Sequence, residues 1–265
     1  MTKVSSEMKT SVSKLNVSPI IQIIILYLIA VIVQRVGSEL TSLYTINTVT
    51  QNFFENFVGL VFVLYVVVKL NLWSRIYWFS HLSFKRWYLF LLPCAYILIN
   101  IGELYPHSNQ DLVVGLLSNM FTGSLEEILC RGIVIVILFD YLIKREHKNI
   151  PLKAALLSSL LFGLVHFVNV FEKPETIGVI TGQVIYATFI GMGFAACYLR
   201  TRSLVPLMII HAAINIMGFL TSAPNEPAAA SFIDTLPAII ICFPLMIYGI
   251  VILSGDKSNS IEFSR

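Results

Sequence analysis

The chain has 265 residues, of which 57% are hydrophobic and only 12% charged, with a formal net charge of +3 and a mean hydropathy of +0.81. Soluble domains are about a quarter charged, so a water-soluble fold is excluded and lipid must be the solvent for most of the chain. Four cysteines (Cys94, Cys130, Cys197 and Cys242) lie scattered through apolar stretches without C-x-x-C spacing; they read as reduced, small apolar side chains and not as a disulfide framework or a zinc cluster.

The polar first 18 residues, rich in Ser, Thr and Lys, read as a disordered cytoplasmic tail. The apolar run after them, 19–36, is too long for a signal-peptide core and has no A-x-A-like site behind it, so it reads as an uncleaved first span. Further spans are predicted at 53–72 and 87–104. The next apolar region, 112–143, is too long for one straight span. Within it Ser124-Leu125-Glu126-Glu127 follows Gly123 and fits an S-x-x-E capping box. The expectation is a spanning helix that starts at Ser124, with 112–121 as a separate, partly re-entrant helix; the alternative is one long tilted helix. Spans follow at 152–170, 177–199, 204–221 and 235–254, and 255–265 form a second cytoplasmic tail. Pro151 and Pro206 sit near span starts, where a missing N–H costs little. Gly178-x-x-x-Gly182 and Gly191-x-Gly193 predict close helix packing in the sixth span. The predicted fold class is all-α: a polytopic membrane bundle of about eight transmembrane helices over 19–254.

Orientation follows from Lys and Arg placement. With eight spans, the N-terminus and alternate loops share one side. That side holds Lys3, Lys9 and Lys14, then Lys69, Arg75, Lys85 and Arg86, then Lys144, Arg145, Lys148 and Lys153, then Arg200 and Arg202, and finally Lys257 and Arg265: fifteen of the 18 basic residues. Arg35 and Lys173 fall on the other side, and Arg131 lies inside a span. Both termini are therefore expected in the cytoplasm.

Five ionisable groups stand where lipid should be: Glu126, Glu127 and Arg131 in the fourth span, His166 in the fifth and His211 in the seventh, with Asn215 one turn beyond His211. A central charge costs roughly 2.5–3.5 kcal/mol on insertion scales, so such groups persist only by satisfying one another or by facing water. Glu127 and Arg131 are i, i+4 and can pair. Glu126 lies about 100° round the helix and can point elsewhere. His211 and Asn215 share a face at the same spacing, as do Phe162 and His166, where Phe162 is expected to shape a pocket wall. At 1.5 Å per residue Glu126 is about 27 Å from Lys144, His166 about 20 Å from Lys153, and His211 about 14 Å from Arg202, depths compatible with one polar pocket. His81, His107 and His147 read as solvated, Asp140 as paired locally, and Asn169 as a helix-end residue. No H-E-x-x-H, no G-x-S-x-G and no GxGD-type aspartate inside a span is present.

The ordered set Glu126-Glu127-x-x-x-Arg131, Phe162-x-x-x-His166 and His211-x-x-x-Asn215 resembles the three motifs of the CPBP family, the CAAX-protease and bacteriocin-processing (ABI) intramembrane proteases. The resemblance spans 126–215 without departure from the motifs. It implies a helical bundle that cuts peptide bonds near or within the membrane, Glu126 and His166 activating a water, His211 and Asn215 stabilising the oxyanion, and Glu127 and Arg131 supporting them. The substrate implied is a prenylated CAAX-type protein or a leader, signal or bacteriocin-type peptide, and the location a bacterial plasma membrane. General-base chemistry without a cofactor is the favoured expectation; Zn2+ held by Glu126, His166 and His211 is the rival. Expected partners are membrane lipid and the peptide or lipidated-protein substrate, with no nucleic acid; oligomeric state is open. A non-catalytic bacteriocin-immunity, transport or scaffold role is the alternative, since intramembrane polar groups also mark ion pathways.

Overall fold

In the computed structural model, residues 18–99, 101–171, 174–222 and 231–254 are described, and every regular element among them is helical. The tails expected to be disordered lie outside the described residues, Ser18 excepted. We number the eight main helices α1 (Pro19–Ser42), α2 (Thr48–Lys69), α3 (Leu91–Ile99, entered through a 3-10 turn at Trp87–Phe90), α4 (residues 109–144), α5 (Ile150–Val165), α6 (Ile177–Thr201), α7 (Val205–Thr221) and α8 (Leu236–Ser254). The segments Pro19–Ser42, Thr48–Lys69, Ile150–Phe171, Ile177–Thr201 and Ile233–Ser254 are long and apolar enough to cross a membrane; Trp87–Ile99 and Val205–Thr221 are shorter apolar helices. The outward side chains of α1, among them Ile21, Ile25, Leu28 and Ile32, are exposed and apolar, as a lipid-facing surface requires. The chain is an integral membrane helix bundle.

Local chemistry sets the helix starts. Ser18 Oγ accepts from the Ile21 amide and Pro19 occupies the first turn of α1. Asn47 caps α2 by accepting from the Thr50 amide, and donates through Nδ2 to Asp111 Oδ1 at 2.7 Å in α4. Ser108 caps α4 through the Asp111 amide. Arg202 ends α6 in the left-handed region at φ 51°, and Val205 then starts α7.

The expected break at Ser124 is absent. α4 runs without interruption through Asn109–Glu127 (α-helix), Ile128–Val134 (π-helix) and Ile135–Lys144 (α-helix), so Ser124 is a mid-helix residue and 112–121 belong to the same helix. Thirty-six residues extend about 54 Å, well beyond a bilayer core of about 30 Å, so α4 is longer than a single perpendicular crossing needs. The reason for continuity is the contact at Gly123. Its missing side chain lets α4 press directly on the backbone of α7, where an added Cβ would stand 2.7 Å from the Ala212 nitrogen. The third span ends at Ile99, short of the expected 104, because 101–108 are irregular.

α1 packs on α2, α2 on the first half of α4, and that half on α7, while α6 lies between α5 and α8. Small residues allow the α6–α8 approach: a Cβ on Gly193 would meet the Leu245 side chain at 2.6 Å, and one on Gly249 the Met192 carbonyl oxygen at 2.6 Å. The core centres on Ile128, Ile133, Val134 and Leu138 of α4 with Met192, Phe194 and Tyr198 of α6.

The two ends of the bundle differ chemically. At one, Arg75 forms a two-pronged pair with Asp140 at 2.7 and 2.8 Å, Arg86 Nη1 donates to the Arg200 carbonyl, and the Leu204 amide to the Tyr77 carbonyl. Asp140 is thus paired across 65 positions of sequence and not locally: the loop after α2 folds back under the bundle. At the other end the Tyr105 amide donates to the Leu220 carbonyl, and the His107 ring stacks on Phe219 at 4.3 Å. His107 is therefore half-buried against an aromatic ring and not a solvated side chain.

Gly123→Leu should lower the thermal midpoint in detergent by an amount equivalent to about 1–3 kcal/mol of overpacking. Gly218→Leu, on the same α4-facing partner helix but at a position with nothing within 4 Å, should leave the midpoint near that of the parent chain.

Candidate active site

The site is built on α4, α5 and α7, with two walls from α1 and α2. Its centre is a buried chain of polar groups. Glu127 is 0% exposed and Arg131 1%. Arg131 Nη1 donates to Glu127 Oε1 at 2.8 Å, one turn away on α4. The same oxygen lies 2.8 Å from His211 Nδ1 of α7. Since an oxygen facing an arginine is an acceptor, Nδ1 is the donor. The other ring nitrogen, Nε2, lies 3.3 Å from Glu126 Oε2. His211 therefore spans the two adjacent carboxylates, and Glu127 fixes which edge of its ring turns toward Glu126.

Arg131 is held on all sides. Nη2 donates to the Gly191 carbonyl of α6 at 3.3 Å, and the guanidinium lies over the rings of Phe162 (4.8 Å) and Phe194 (5.6 Å). Its Nε finds no hydrogen-bond partner among the described residues, nor does Glu127 Oε2. Two aromatic faces supply part of the stabilisation that a hydrogen bond would otherwise give. The π-helical stretch Ile128–Val134 contains Arg131 and begins right after Glu127; such insertions are frequent at functional sites.

His166 is placed by the end of α5. There the helix tightens into a 3-10 segment, His166–Phe171, and the His166 amide turns to the Gly163 and Leu164 carbonyls. The Phe162 carbonyl, which would have received that amide in a continued α-helix, instead faces His166 Nδ1 at 2.9 Å. A carbonyl only accepts, so Nδ1 carries the proton and Nε2 is left with its lone pair. Phe162 is buried and meets both imidazoles edge-on, with ring centroids 5.2 Å from His166 and 6.3 Å from His211.

Glu126, Phe162 and His166 line one cavity of about 210 Å³. Its other walls include Tyr27, Ala30, Gln34 and Arg35 of α1, Glu55 and Asn56 of α2, Leu125 and Cys130 of α4, and Val168 and Asn169 beyond α5. His211 reaches the cavity through its contact with Glu126. Asn215 is half-buried one turn beyond His211 and is not a lining residue. Several walls were not foreseen. Tyr27 Oη lies 3.1 Å from Cys130 Sγ at the closed end, and Arg35 pairs with Glu55 at 3.5 Å at the other. Asn169, read as a helix-end residue, is also part of the wall. Charges placed 35 and 55 along the chain, at the ends of two apolar runs, were the available signal.

A family model described as "Type II CAAX prenyl endopeptidase Rce1-like" matches residues 108–217. The matched family is the CPBP family, to which residues 108–217 are therefore similar. The matched segment holds α4 to α6 and α7 as far as Met217, and with them all seven motif residues from Glu126 to Asn215. No curated protein and no solved structure matches the chain. Among the described residues, no three His, Cys, Asp or Glu side chains converge as a metal-binding group. His211 donates from Nδ1 to Glu127 and His166 from Nδ1 to a carbonyl, an arrangement that leaves the Nε2 atoms, with Glu126, as the groups that would hold a metal ion.

Arg131→Met leaves Glu127 ionisable and buried without its partner, and should cost about 3–5 kcal/mol. The double change Glu127→Leu/Arg131→Met, which removes both charges, should cost clearly less. Thermal unfolding of the purified variants in detergent measures the difference, and equal losses would show that the charge pairing is not what matters.

Proposed function

We propose that the protein is an intramembrane endopeptidase that hydrolyses a peptide bond of a membrane-associated substrate, either a CAAX-type prenylated protein or a leader, signal or bacteriocin-type peptide. The observation that carries the reading is a single cavity within the membrane region lined by Glu126 and His166, with His211 in contact with the Glu126 carboxylate. The similarity of residues 108–217 to a family of prenyl endopeptidases supports the reaction class.

In this reading a water sits between the Glu126 carboxylate and the lone pair of His166 Nε2. Glu126 takes one proton from the water as its oxygen attacks the carbonyl carbon of the scissile bond. The carbonyl π electrons move to the oxygen, giving a tetrahedral oxyanion. His211 Nε2, when the ring carries both protons, faces Glu126 and is a donor for that oxyanion; Asn215, one turn on along α7 and outside the cavity wall, is the second donor that the family motif implies, and it would have to turn toward the cavity to reach the oxyanion. Collapse of the intermediate breaks the C–N bond, and the proton held by Glu126 passes to the leaving amine. Preset donors in a dry site are effective because they need no reorganisation as charge develops. Glu127 and Arg131 act as positioning residues, since they hold the His211 ring and do not reach the substrate.

Glu126→Gln keeps the shape of the side chain and removes the base. It should reduce cleavage of a membrane-anchored peptide by about 10²–10⁴-fold, the usual worth of general acid–base catalysis, with little change in thermal midpoint. His166→Ala should show a comparable loss. Undiminished cleavage by folded Glu126→Gln would exclude the mechanism. A full cellular phenotype in that variant would favour an immunity, transport or scaffold role.

A further inference from the structure

The cavity is closed toward one end of the bundle and open toward the other. Along α1 its wall passes from Tyr27 (6% exposed) and Ala30 (2%) to the Arg35 side chain (37%). Along α5 and its extension it passes from buried Phe162 through half-buried His166 to half-buried Asn169. Cys130, which touches Tyr27, is 1% exposed and forms the floor. The polar groups of the wall, Gln34, Arg35, Glu55, Asn56 and Asn169, gather at the open end.

The position of that mouth can be measured against the helix ends. Arg35 lies about 24 Å along α1 from Pro19, Glu55 about 21 Å along α2 from Lys69, and Asn169 about 28 Å from Ile150 at the start of α5. All three starting points belong to the end that carries Lys69, Arg75, Lys85, Arg86, Lys144, Arg145, Lys148, Lys153, Arg200 and Arg202, tied together by the Arg75–Asp140, Arg86–Arg200 and Leu204–Tyr77 contacts. The opposite end carries Glu39, Glu103, Asp111 and Asp234 and, among the described residues, no Lys or Arg besides the paired Arg35. Such asymmetry sets the basic end in the cytoplasm.

We propose that the cavity opens on the non-cytoplasmic face, so that the substrate is a membrane-inserted or exported peptide whose scissile bond is presented from that face, and not a cytosolic protein lipidated at its C-terminus. This choice of substrate class rests on the endopeptidase reading; the sidedness of the cavity does not. It also gives the mouth a physical purpose. Water for hydrolysis enters through a polar rim that meets the outer interface, while the buried floor at Tyr27 and Cys130 keeps the inner leaflet and the cytoplasm out of the site.

The test uses the full chain in sealed cells and in inverted membrane vesicles, with a membrane-impermeant maleimide as probe. Val168→Cys and, from a different helix, Gln34→Cys report the mouth, so that one poorly folding variant does not remove the readout. Lys148→Cys reports the basic end, and the parent chain gives the background of its own cysteines. Mouth cysteines should label at least tenfold faster in intact cells than in inverted vesicles, and Lys148→Cys the reverse. Labelling of the mouth cysteines from the inner face, from both faces equally or from neither overturns the proposal, as does labelling of Lys148→Cys in intact cells. A second arm co-expresses two single-span reporters with the same target segment at the outer or the inner interface, and cleavage should be confined to the outer one. Outer labelling with neither reporter cut would leave the sidedness standing and count against the endopeptidase reading. Cleavage of the inner reporter alone would overturn the substrate class.

Discussion

A guanidinium at 1% exposure inside a lipid-facing bundle has no water to turn to, and the arrangement around Arg131 answers that problem. Glu127 neutralises it from the preceding turn, a backbone carbonyl of α6 takes one amino group, and two phenylalanine rings cover its faces. Because breaking a buried pair leaves an uncompensated charge, the pair is a strong constraint on the helices that carry it even where its net contribution to stability is small. Three helices are registered by it directly: α4 provides the pair, α6 the carbonyl and Phe194, and α5 provides Phe162. The fourth, α7, is drawn in by His211 on the Glu127 oxygen. The geometry around Glu126 is thus inherited from a structural ion pair one residue away, which separates holding the site together from whatever chemistry Glu126 performs.

The sparing use of side-chain bulk at helix crossings serves the same end. Gly123 sits one turn before Glu126 and Glu127 and lets α4 lie against the α7 backbone at Ala212, the residue after His211. A larger residue there would move the carboxylates and the imidazole apart by the width of its Cβ. Gly163 similarly lets α5 approach α6 at Thr188 and the Val184 carbonyl, just before His166. Placing a small residue within one turn of each motif side chain reduces tolerance in the packing where the site needs it least.

Much of this was legible in the chain before any coordinates. Apolar runs of about twenty residues mark spans because lipid leaves no other outlet for the backbone, and the i, i+4 spacing of Glu127 and Arg131 announced their pairing. Other features left no such trace. The capping pattern at Ser124 is locally sound, yet the contact of Gly123 with α7 carries the helix through it, a tertiary effect no local pattern contains. Arg75 and Asp140 each looked like an ordinary interfacial charge, and only the fold-back of the loop after α2 brings them together. Tyr27 and Asn169 were invisible as cavity walls because a single uncharged polar residue in or just past a span usually packs in the bundle or faces headgroups, and the charges of Arg35 and Glu55 were the one signal of that wall. Asn215 shows the converse: its spacing from His211 puts it on the same face, but the cavity wall does not include it.

The π-helical stretch Ile128–Val134 divides α4 into two rotational domains. Relative to an ideal α-helix, one inserted residue shifts the azimuth of everything beyond it by about 100°. The upstream half can therefore aim Glu126 and Glu127 toward α7, while the downstream half turns Leu138 and Leu142 into the core and Asp140 toward Arg75. A uniform rod would have to compromise between these two azimuths. The dislocation releases each half to follow its own neighbours, so that sequence drift in the half near the basic loops need not be transmitted as a twist of the carboxylates.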